Sequence, residues 1–364
     1  MMEMEKMKIN KNNLDQEEER YKKKIKIKNF KRIHKKKRFY INYKLKKNLL
    51  YLFLIILIIP FSFLIWNVLI RRKNINYSQN NHKLNKRKYF ACFCTIARME
   101  NRYARELISY YSKIGVDKFI FGDNNVLNTE KLSDVLQDYI NNNLVDIHEI
   151  FGSDTGQAEF YQSMYEKYNS KCNYFLFFDF DEYLEIHLNN NNNTSLQNLL
   201  TNNIFNNCES ISFNWLTYTD NDLIYYDKRT LIERFTQPNY DDTDNLYVKS
   251  IVKGGLNKTI FYPQQSNHIP DSQLKICDSK GNIIPRYAYN PYTINPPIYE
   301  NGFLKHFSTK TAEEYCNKME RGGARNLKYD YDERLQIFFR INKFSKKKLK
   351  IFEEKFNRTF NYDH

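Results

Sequence analysis

Three carboxylates follow one apolar segment of the chain, in the sequence FLFFDFDEYLEI at residues 175–186. Asp179 and Asp181 stand two residues apart, so their carboxylates can converge on one side of the turn that follows a strand. Hard divalent cations bind carboxylate oxygens, and the oxygens of a diphosphate can complete the coordination shell. The spacing therefore predicts a cation site at Asp179 and Asp181, with Glu182 beside it.

A second group of polar residues lies within IARMENRYARELISYYSKIGVDKFIFGDNN, residues 96–125, at the ends of two predicted strands. The residues concerned are Arg98, Glu100, Asn101, Asp123 and Asn124. Polar groups at neighbouring strand ends are typical of a nucleotide pocket. The chain has neither G-x-G-x-x-G nor G-x-x-x-x-G-K-[ST], so neither a dinucleotide-binding fold nor a P-loop is indicated. Helix capping is the other explanation for Asn101.

Strand-like apolar segments alternate with amphipathic helical segments from residue 89 onwards. The predicted strands cover residues 89–97, 116–121, 144–150 and 173–178. The predicted helices cover residues 102–114, 129–141, 156–168, 311–322 and 332–340. This alternation predicts an α/β, Rossmann-like fold with a mostly parallel central sheet, whose strand ends hold the ligand.

The positive charge of the chain is confined to two short segments. The net charge is +15, yet residues 89–364 hold 32 basic and 36 acidic residues, a net of −4. The excess lies in residues 1–48 and 71–88. A nucleic-acid-binding protein needs a basic globular face, so no nucleic-acid partner is expected.

An uncharged segment of 22 residues, Leu49–Ile70, separates the two basic segments. A helix of this length spans a hydrocarbon core of about 30 Å. A cleaved signal peptide is disfavoured, because 48 residues precede an apolar segment longer than a signal peptide has. We predict a basic cytoplasmic tail (1–48), a transmembrane helix in membrane lipid (49–70), a stem (71–88) and a globular domain (89–360). The flanking charges give only a slight bias towards a cytoplasmic N-terminus.

The six cysteines lack the spacing of a metal site. Their even number permits disulfides in an oxidising compartment, and buried free thiols are the alternative. Sequons that permit a luminal domain occur at Asn76, Asn192, Asn193, Asn257 and Asn357.

The motifs of residues 89–325 resemble, in order, those of glycosyltransferase family 92 and related family-2-like enzymes of GT-A fold. The first is A-R-M-E-N at residues 97–101, and F-x-D-x-D-E-Y-L follows at residues 177–184. The others are Gly156-Gln-Ala, Phe213-Asn-Trp, Asn267-His, L-K-H-F-S-T-K at residues 304–310 and K-M-E-R-G at residues 318–322. Residues 218–222 depart from the family, in which Gly often follows the Trp segment.

The resemblance implies metal-dependent transfer of a sugar from a nucleotide sugar, a UDP-sugar, to a hydroxyl of a glycan or glycoconjugate, with inversion. It implies Mn²⁺ or Mg²⁺ as the cofactor, with the ligands Asp179, Asp181 and His306. The nucleotide sugar would contact Arg98, Glu100, Asn101, Asp123, Asn124, Gln157 and Asp179. An inverting reaction needs a carboxylate base, and the candidates left open are Asp220, Asp222 and Glu182. Together with the predicted anchor, this indicates a single-pass type II protein of the Golgi or endoplasmic reticulum with a luminal catalytic domain.

Two other functions compete with this interpretation. Another metal-dependent nucleotide-sugar enzyme, such as a pyrophosphorylase, needs a Gly-rich basic loop that residues 89–101 lack. A catalytically silent carbohydrate-binding module on a membrane stem has no need of Asp179, Asp181 and His306, which are all present.

Overall fold

The computed structural model describes residues 47–48, 87–126, 129–150, 156–188, 194–258, 260–261, 274–284, 294–323 and 328–360. The chain divides into two compact units, residues 1–82 and 83–364, and only residues 47 and 48 of the first unit are described. The predicted transmembrane segment and nearly all of the predicted tail and stem lie outside the described residues. Among the described residues, no helix combines the length and the apolar composition that crossing a membrane requires.

The second unit is built from one sheet and the helices packed on it. Its strands are β1 (Tyr89–Ala97), β2 (Lys118–Asp123), β3 (Val145–Glu149), β4 (Cys172–Phe177), β5 (Glu182–His187), β6 (Ser210–Thr217), β7 (Val248–Lys253), β8 (Ile276–Cys277) and β9 (Asn301–His306). Its helices are α1 (Asn101–Ile114), α2 (Leu132–Asn141), α3 (Gln157–Tyr168), α4 (Leu196–Leu200), α5 (Leu231–Arg234), α6 (Ala312–Arg321), α7 (Tyr331–Ile341) and α8 (Lys346–Phe356).

The sheet has the strand order β3-β2-β1-β4-β7-β6-β9-β5, with β8 beside β6. Strands β1 to β4 are mutually parallel and are connected through α1, α2 and α3, as the sequence predicts. Strand β7 is antiparallel to both β4 and β6, and β5 is antiparallel to β9. The α/β prediction is confirmed, and the sheet is mixed although mostly parallel.

The two faces of the sheet bury separate apolar clusters because successive side chains of a strand point in opposite directions. Phe93 packs with Tyr111 of α1 on one face. Cys92 and Cys94 lie on the other face, with Tyr165 of α3. A third apolar cluster joins α6, α7 and α8.

Four of the six cysteines form disulfides. Cys92 of β1 is bonded to Cys172 of β4, and Cys208 is bonded to Cys277 of β8. Cys94 and Cys316 are buried free thiols. The two alternatives for the cysteines, disulfides and buried free thiols, therefore both occur in this domain.

Candidate active site

The turn that follows β4 brings its carboxylates to one edge of the sheet. The backbone N–H of Asp179 donates a hydrogen bond of 2.9 Å to Oε2 of Glu182, which closes the turn into β5. Strand β5 then runs antiparallel to β9, and Glu182 lies directly opposite His306 in that register. The antiparallel pairing therefore carries His306 to the Asp179–Glu182 turn, although the two are far apart in sequence.

Two lysines and one histidine surround Asp181. Its Oδ2 lies 3.1 Å from Nζ of Lys318 and 3.7 Å from Nζ of Lys310, and its Oδ1 lies 3.9 Å from Nε2 of His306. Burial raises the pKa of Asp181, but the charged ammonium groups of Lys318 and Lys310 outweigh it and hold the pKa well below its ordinary value. Asp181 is therefore an ionised carboxylate.

His306 presents a neutral imidazole to Asp181. Its ring packs against Trp215, with 4.0 Å between the ring centroids. Burial lowers the pKa of His306 to about 4, although Asp181 acts to raise it. At neutral pH the ring therefore has a free lone pair, and its Nδ1 has no hydrogen-bond partner among the described residues.

Asp179 is held by different partners. Its carboxylate lies 2.8 Å from Nζ of Lys249 and accepts a hydrogen bond of 2.5 Å from Nε2 of Gln157. Lys249 is completely buried in β7 and also lies 3.8 Å from Oε1 of Glu182. Burial lowers the pKa of Lys249, but Asp179 and Glu182 outweigh it and raise the pKa, so the lysine is charged.

The donor atoms that fit a divalent cation belong to Asp181, Glu182 and His306, whose ligand atoms lie within 4.8 Å of one another. Carboxylate oxygens with one imidazole nitrogen suit Mn²⁺, and Mg²⁺ accepts the oxygens. The structure thus brings Asp181 and His306 together as predicted ligands and pairs the third, Asp179, with Lys249. Glu182 is fully buried, and burial raises its pKa well above the ordinary value although Lys249 acts to lower it.

Most of the predicted site residues line one cleft of about 460 Å³. Those residues are Arg98, Glu100, Asn124, Gln157, Asp179, Asp181 and His306. A second cleft of about 480 Å³ adjoins the first, and Arg98, Glu100, Lys318 and Arg321 line both. Nη2 of Arg321 lies 2.6 Å from Oε1 of Glu100, which ties α6 to the residues after β1.

Two predicted nucleotide contacts instead support the backbone. Nδ2 of Asn101 donates a hydrogen bond of 2.7 Å to the carbonyl of Lys131. Oδ2 of Asp123 accepts a hydrogen bond of 2.8 Å from the backbone N–H of Leu132. Within the described part of the chain, neither side chain lines either cleft. Both hold the beginning of α2 against the strand ends.

Asp220 and Asp222, two predicted bases, are bound by Lys348 of α8 at 2.7 Å and 3.1 Å. The backbone N–H of Asp220 also donates a hydrogen bond of 2.6 Å to Oδ1 of Asn342. Among the residues that the structure describes, Asp220, Asp222 and Glu182 do not line either cleft. These contacts tie the segment after β6 to the C-terminal helices.

Several charged residues in or beside the clefts have no role in the sequence prediction. Lys318, Arg321 and Asp244 line the first cleft, Lys310 lines the second, and the buried Lys249 pairs with Asp179. Lys318 and Arg321 stand three residues apart and therefore share a face of α6. That spacing is a signal that sequence reasoning could have used. The sequence signal for Lys249 is weaker: it is a charged residue followed by the uncharged residues Ser-Ile-Val of the same strand.

An α/β sheet that gathers carboxylates, an imidazole and several cations in a cleft at its strand ends is typical of enzymes that act on diphosphate-linked substrates. The model of glycosyltransferase family 92 matches residues 87–359, and the chain belongs to that family. The protein is therefore a glycosyltransferase, and the resemblance seen in its motifs is confirmed.

Solved structures include distant matches. One is S. aureus TarS 1-349 in complex with UDP-GlcNAc, with 11% identity, a TM-score of 0.36, and coverage of 74% of this chain and 72% of that chain. Another is S. aureus TarS 1-349 in complex with UDP, with 11% identity, a TM-score of 0.34, and coverage of 70% of each chain. The search of curated proteins gave no match.

Proposed function

We propose that this glycosyltransferase uses a GT-A domain and a divalent cation to move a sugar from a UDP-sugar to a hydroxyl of a glycan or glycoconjugate, with inversion. The observation that carries this proposal is the convergence of Asp181 and His306 with Lys310 and Lys318 at one strand end. Transfer releases a nucleoside diphosphate, whose developing negative charge must be stabilised. This site combines ligands for a cation with ammonium groups that suit phosphate oxygens.

Different residues of the site would bind the cation and the phosphates. Asp181 and His306, with Glu182 behind them, would hold Mn²⁺ or Mg²⁺, which neutralises charge on the leaving diphosphate when bound. Lys310 and Lys318 pair with Asp181; Lys318 lines both clefts, and Lys310 lines the adjoining second cleft. A diphosphate in the cleft would offer both ammonium groups new partners and so release the Asp181 carboxylate for the cation.

The remaining polar residues of the cleft suit the nucleoside of the donor. Arg98, Glu100, Asn124 and Gln157 line it, and Oδ1 of Asn124 is buried without a hydrogen-bond partner among the described residues. A buried, unpaired polar atom is costly unless a ligand or water satisfies it. Asp179 lines the same cleft, where its carboxylate is held by the ammonium group of Lys249.

We also propose that residues 49–70 anchor the protein and that the catalytic domain is luminal, in the Golgi or endoplasmic reticulum. The uncharged segment of 22 residues supports the anchor. The two disulfides support an oxidising compartment. The exposed side chains of Asn257 and Asn357, both in sequons, support a luminal domain.

The test is donor binding by the full-length chain, measured as a shift in melting temperature with a panel of UDP- and GDP-sugars, with and without Mn²⁺. We expect a UDP-sugar to raise the melting temperature in the presence of Mn²⁺ and Asp181→Asn to abolish that increase. Asp241→Asn, which changes an exposed aspartate, is the matched control. The proposal fails if no donor shifts the melting temperature and Asp181→Asn behaves as the wild type does.

A further inference from the structure

An inverting transfer needs a carboxylate that can reach the acceptor hydroxyl. Across the described residues, the acidic side chains that line the Asp181 cleft are Glu100, Asp179, Asp181 and Asp244. Glu100 is paired with Arg321, Asp179 with Lys249, and Asp181 with Lys318. These three belong to the proposed donor and cation sites, which leaves Asp244 for a separate role.

Asp244 reaches the cleft because of the way β7 begins. It lies in a short 3-10 helix, Thr243–Leu246, directly before that strand. Ser250 of β7 lies opposite Phe177, the last residue of β4, in an antiparallel register. The start of β7 is therefore at the same sheet edge as the Asp179–Glu182 turn. The backbone N–H of Trp215, the residue that packs on His306, donates a hydrogen bond of 2.9 Å to the carbonyl of Tyr247.

The carboxylate of Asp244 is partly exposed and is paired with a cation. Its Oδ2 lies 2.6 Å from Nη2 of Arg340, and its side chain is 27% exposed. Asp242, which is buried, binds the same guanidinium at 3.2 Å. Burial raises the pKa of Asp244, Asp242 raises it further, and Arg340 acts to lower it. A carboxylate with a raised pKa is a stronger proton acceptor than an ordinary surface aspartate.

We propose that Asp244 is the general base of the transfer reaction, an assignment that rests on the proposed inverting mechanism. Its carboxylate takes the proton of the acceptor hydroxyl while that oxygen forms a bond to the anomeric carbon of the donor sugar. The bond from the anomeric carbon to the diphosphate oxygen breaks, and its electron pair leaves with the nucleoside diphosphate. The proton on Asp244 then passes to solvent at the exposed edge of the cleft.

Arg340 positions the base by holding Oδ2 of Asp244. The other carboxylate oxygen, Oδ1, is then left for the acceptor hydroxyl. The same guanidinium also binds Asp242, so it is fixed from two sides. An acceptor therefore approaches from the α7 side of the cleft, where Arg334 and Ile337 complete the lining.

The experiment compares Asp244→Asn, Arg340→Met and Asp241→Asn in the full-length chain. Activity is UDP release from UDP-N-acetylglucosamine, UDP-galactose and UDP-glucose, with p-nitrophenyl glycosides as acceptors. Donor binding is measured in parallel as the UDP-induced shift in melting temperature. We expect Asp244→Asn to lower kcat by roughly 10²- to 10⁴-fold, the usual contribution of a general base, with the UDP-induced shift unchanged. Asp241→Asn should leave both quantities unchanged.

Arg340→Met separates catalysis from structure, because it breaks the same ion pair but retains the carboxylate. We expect it to keep more than a tenth of the wild-type kcat. The assignment is overturned if Asp244→Asn stays within twofold of the wild type, or if Arg340→Met loses as much activity as Asp244→Asn. Failure of the proposed function looks different, because the wild type would then show neither UDP binding nor UDP release.

Discussion

The buried ion pair between Arg234 and Glu314 supports the helix that carries two cations of the site. Both side chains are 1% exposed, and two hydrogen bonds of 2.7 Å and 3.0 Å join them. Glu314 also accepts hydrogen bonds from the hydroxyls of Tyr103 and Thr311, at 2.6 Å and 2.8 Å. Thr311 is the N-cap of α6. The pair therefore fixes the beginning of the helix whose other end places Lys318 and Arg321 in the cleft.

Arg234→Met should destabilise the domain by about 3 kcal/mol at pH 7. Burial acts to raise the pKa of Glu314, but Arg234, with smaller contributions from the Tyr103 and Thr311 hydroxyls, outweighs it and the pKa falls from 4.5 to about 2. At about 1.4 kcal/mol for each tenfold change in proton affinity, this difference corresponds to about 3 kcal/mol. Removing one partner of a buried pair typically costs about 3–5 kcal/mol, because the other charge is left uncompensated.

The assay is urea unfolding at pH 7 and at pH 3, with Arg105→Met as the matched control. Arg105 and Asp138 form an exposed pair, with side chains 52% and 53% exposed, so their loss should cost less than about 1 kcal/mol. The Glu314 pKa is lower in the folded than in the unfolded state, so its stabilisation is complete above about pH 4.5 and is lost as the pH falls towards 2. The difference between Arg234→Met and the wild type should therefore be smaller at pH 3.

The double variant Arg234→Met/Glu314→Gln completes the test. Replacing the carboxylate by a neutral amide removes the uncompensated charge, so the double variant should be more stable than Arg234→Met alone. A cost below 1 kcal/mol for Arg234→Met at pH 7, or a cost that is equal at both pH values, would refute the reasoning.

Four further predictions concern the site and the compartment. Lys249→Met should abolish the UDP-induced shift in melting temperature, because it leaves Asp179 without its buried cation; a normal shift would contradict this. Lys318→Met should weaken UDP binding by roughly tenfold or more in titration calorimetry, the value of one charge-assisted hydrogen bond. Reduction of the disulfides, which close loops of 80 and 69 residues, should cost about 2–5 kcal/mol each in urea unfolding. If the domain is luminal, intact mass should fall on enzymatic deglycosylation, and Asn257→Gln and Asn357→Gln should each remove one glycan.

The first half of the domain could be predicted from the sequence because its signals are local. Strands β1, β2 and β4 have largely apolar centres, and β3 (VDIHE) alternates apolar and polar residues. Helices α1 to α3 have helical spacing of their apolar residues. Observed boundaries differ by a few residues, as in β2, which is Lys118–Asp123 rather than 116–121. Helix α8 was not predicted, since its sequence KKKLKIFEEKF looks like a charged surface segment. Only its packing shows that Lys348 is buried against Asp220.

The same distinction between local sequence patterns and long-range contacts applies to the candidate site. The spacing of Asp179 and Asp181 was enough to locate the strand end, because it follows directly from one strand and its turn. The pairing of Lys249 with Asp179 depends on the antiparallel register of β7 and β4, which no local pattern specifies. Asp244 reaches the cleft through a long loop after β6, and no local pattern indicates this. The sequence therefore suggests Asp220, and not Asp244, as a candidate base.

The free thiol of Cys94 could compete with Cys92 for Cys172 when the disulfides form. It lies two residues from Cys92, on the same face of β1, and is the closest thiol in sequence to that disulfide. Burial raises the pKa of the Cys94 thiol well above its ordinary value, so in the folded domain it stays protonated and is a poor nucleophile. Disulfide exchange between Cys92 and Cys94 is thus confined to the unfolded chain, and native packing of β1 protects the correct pairing kinetically.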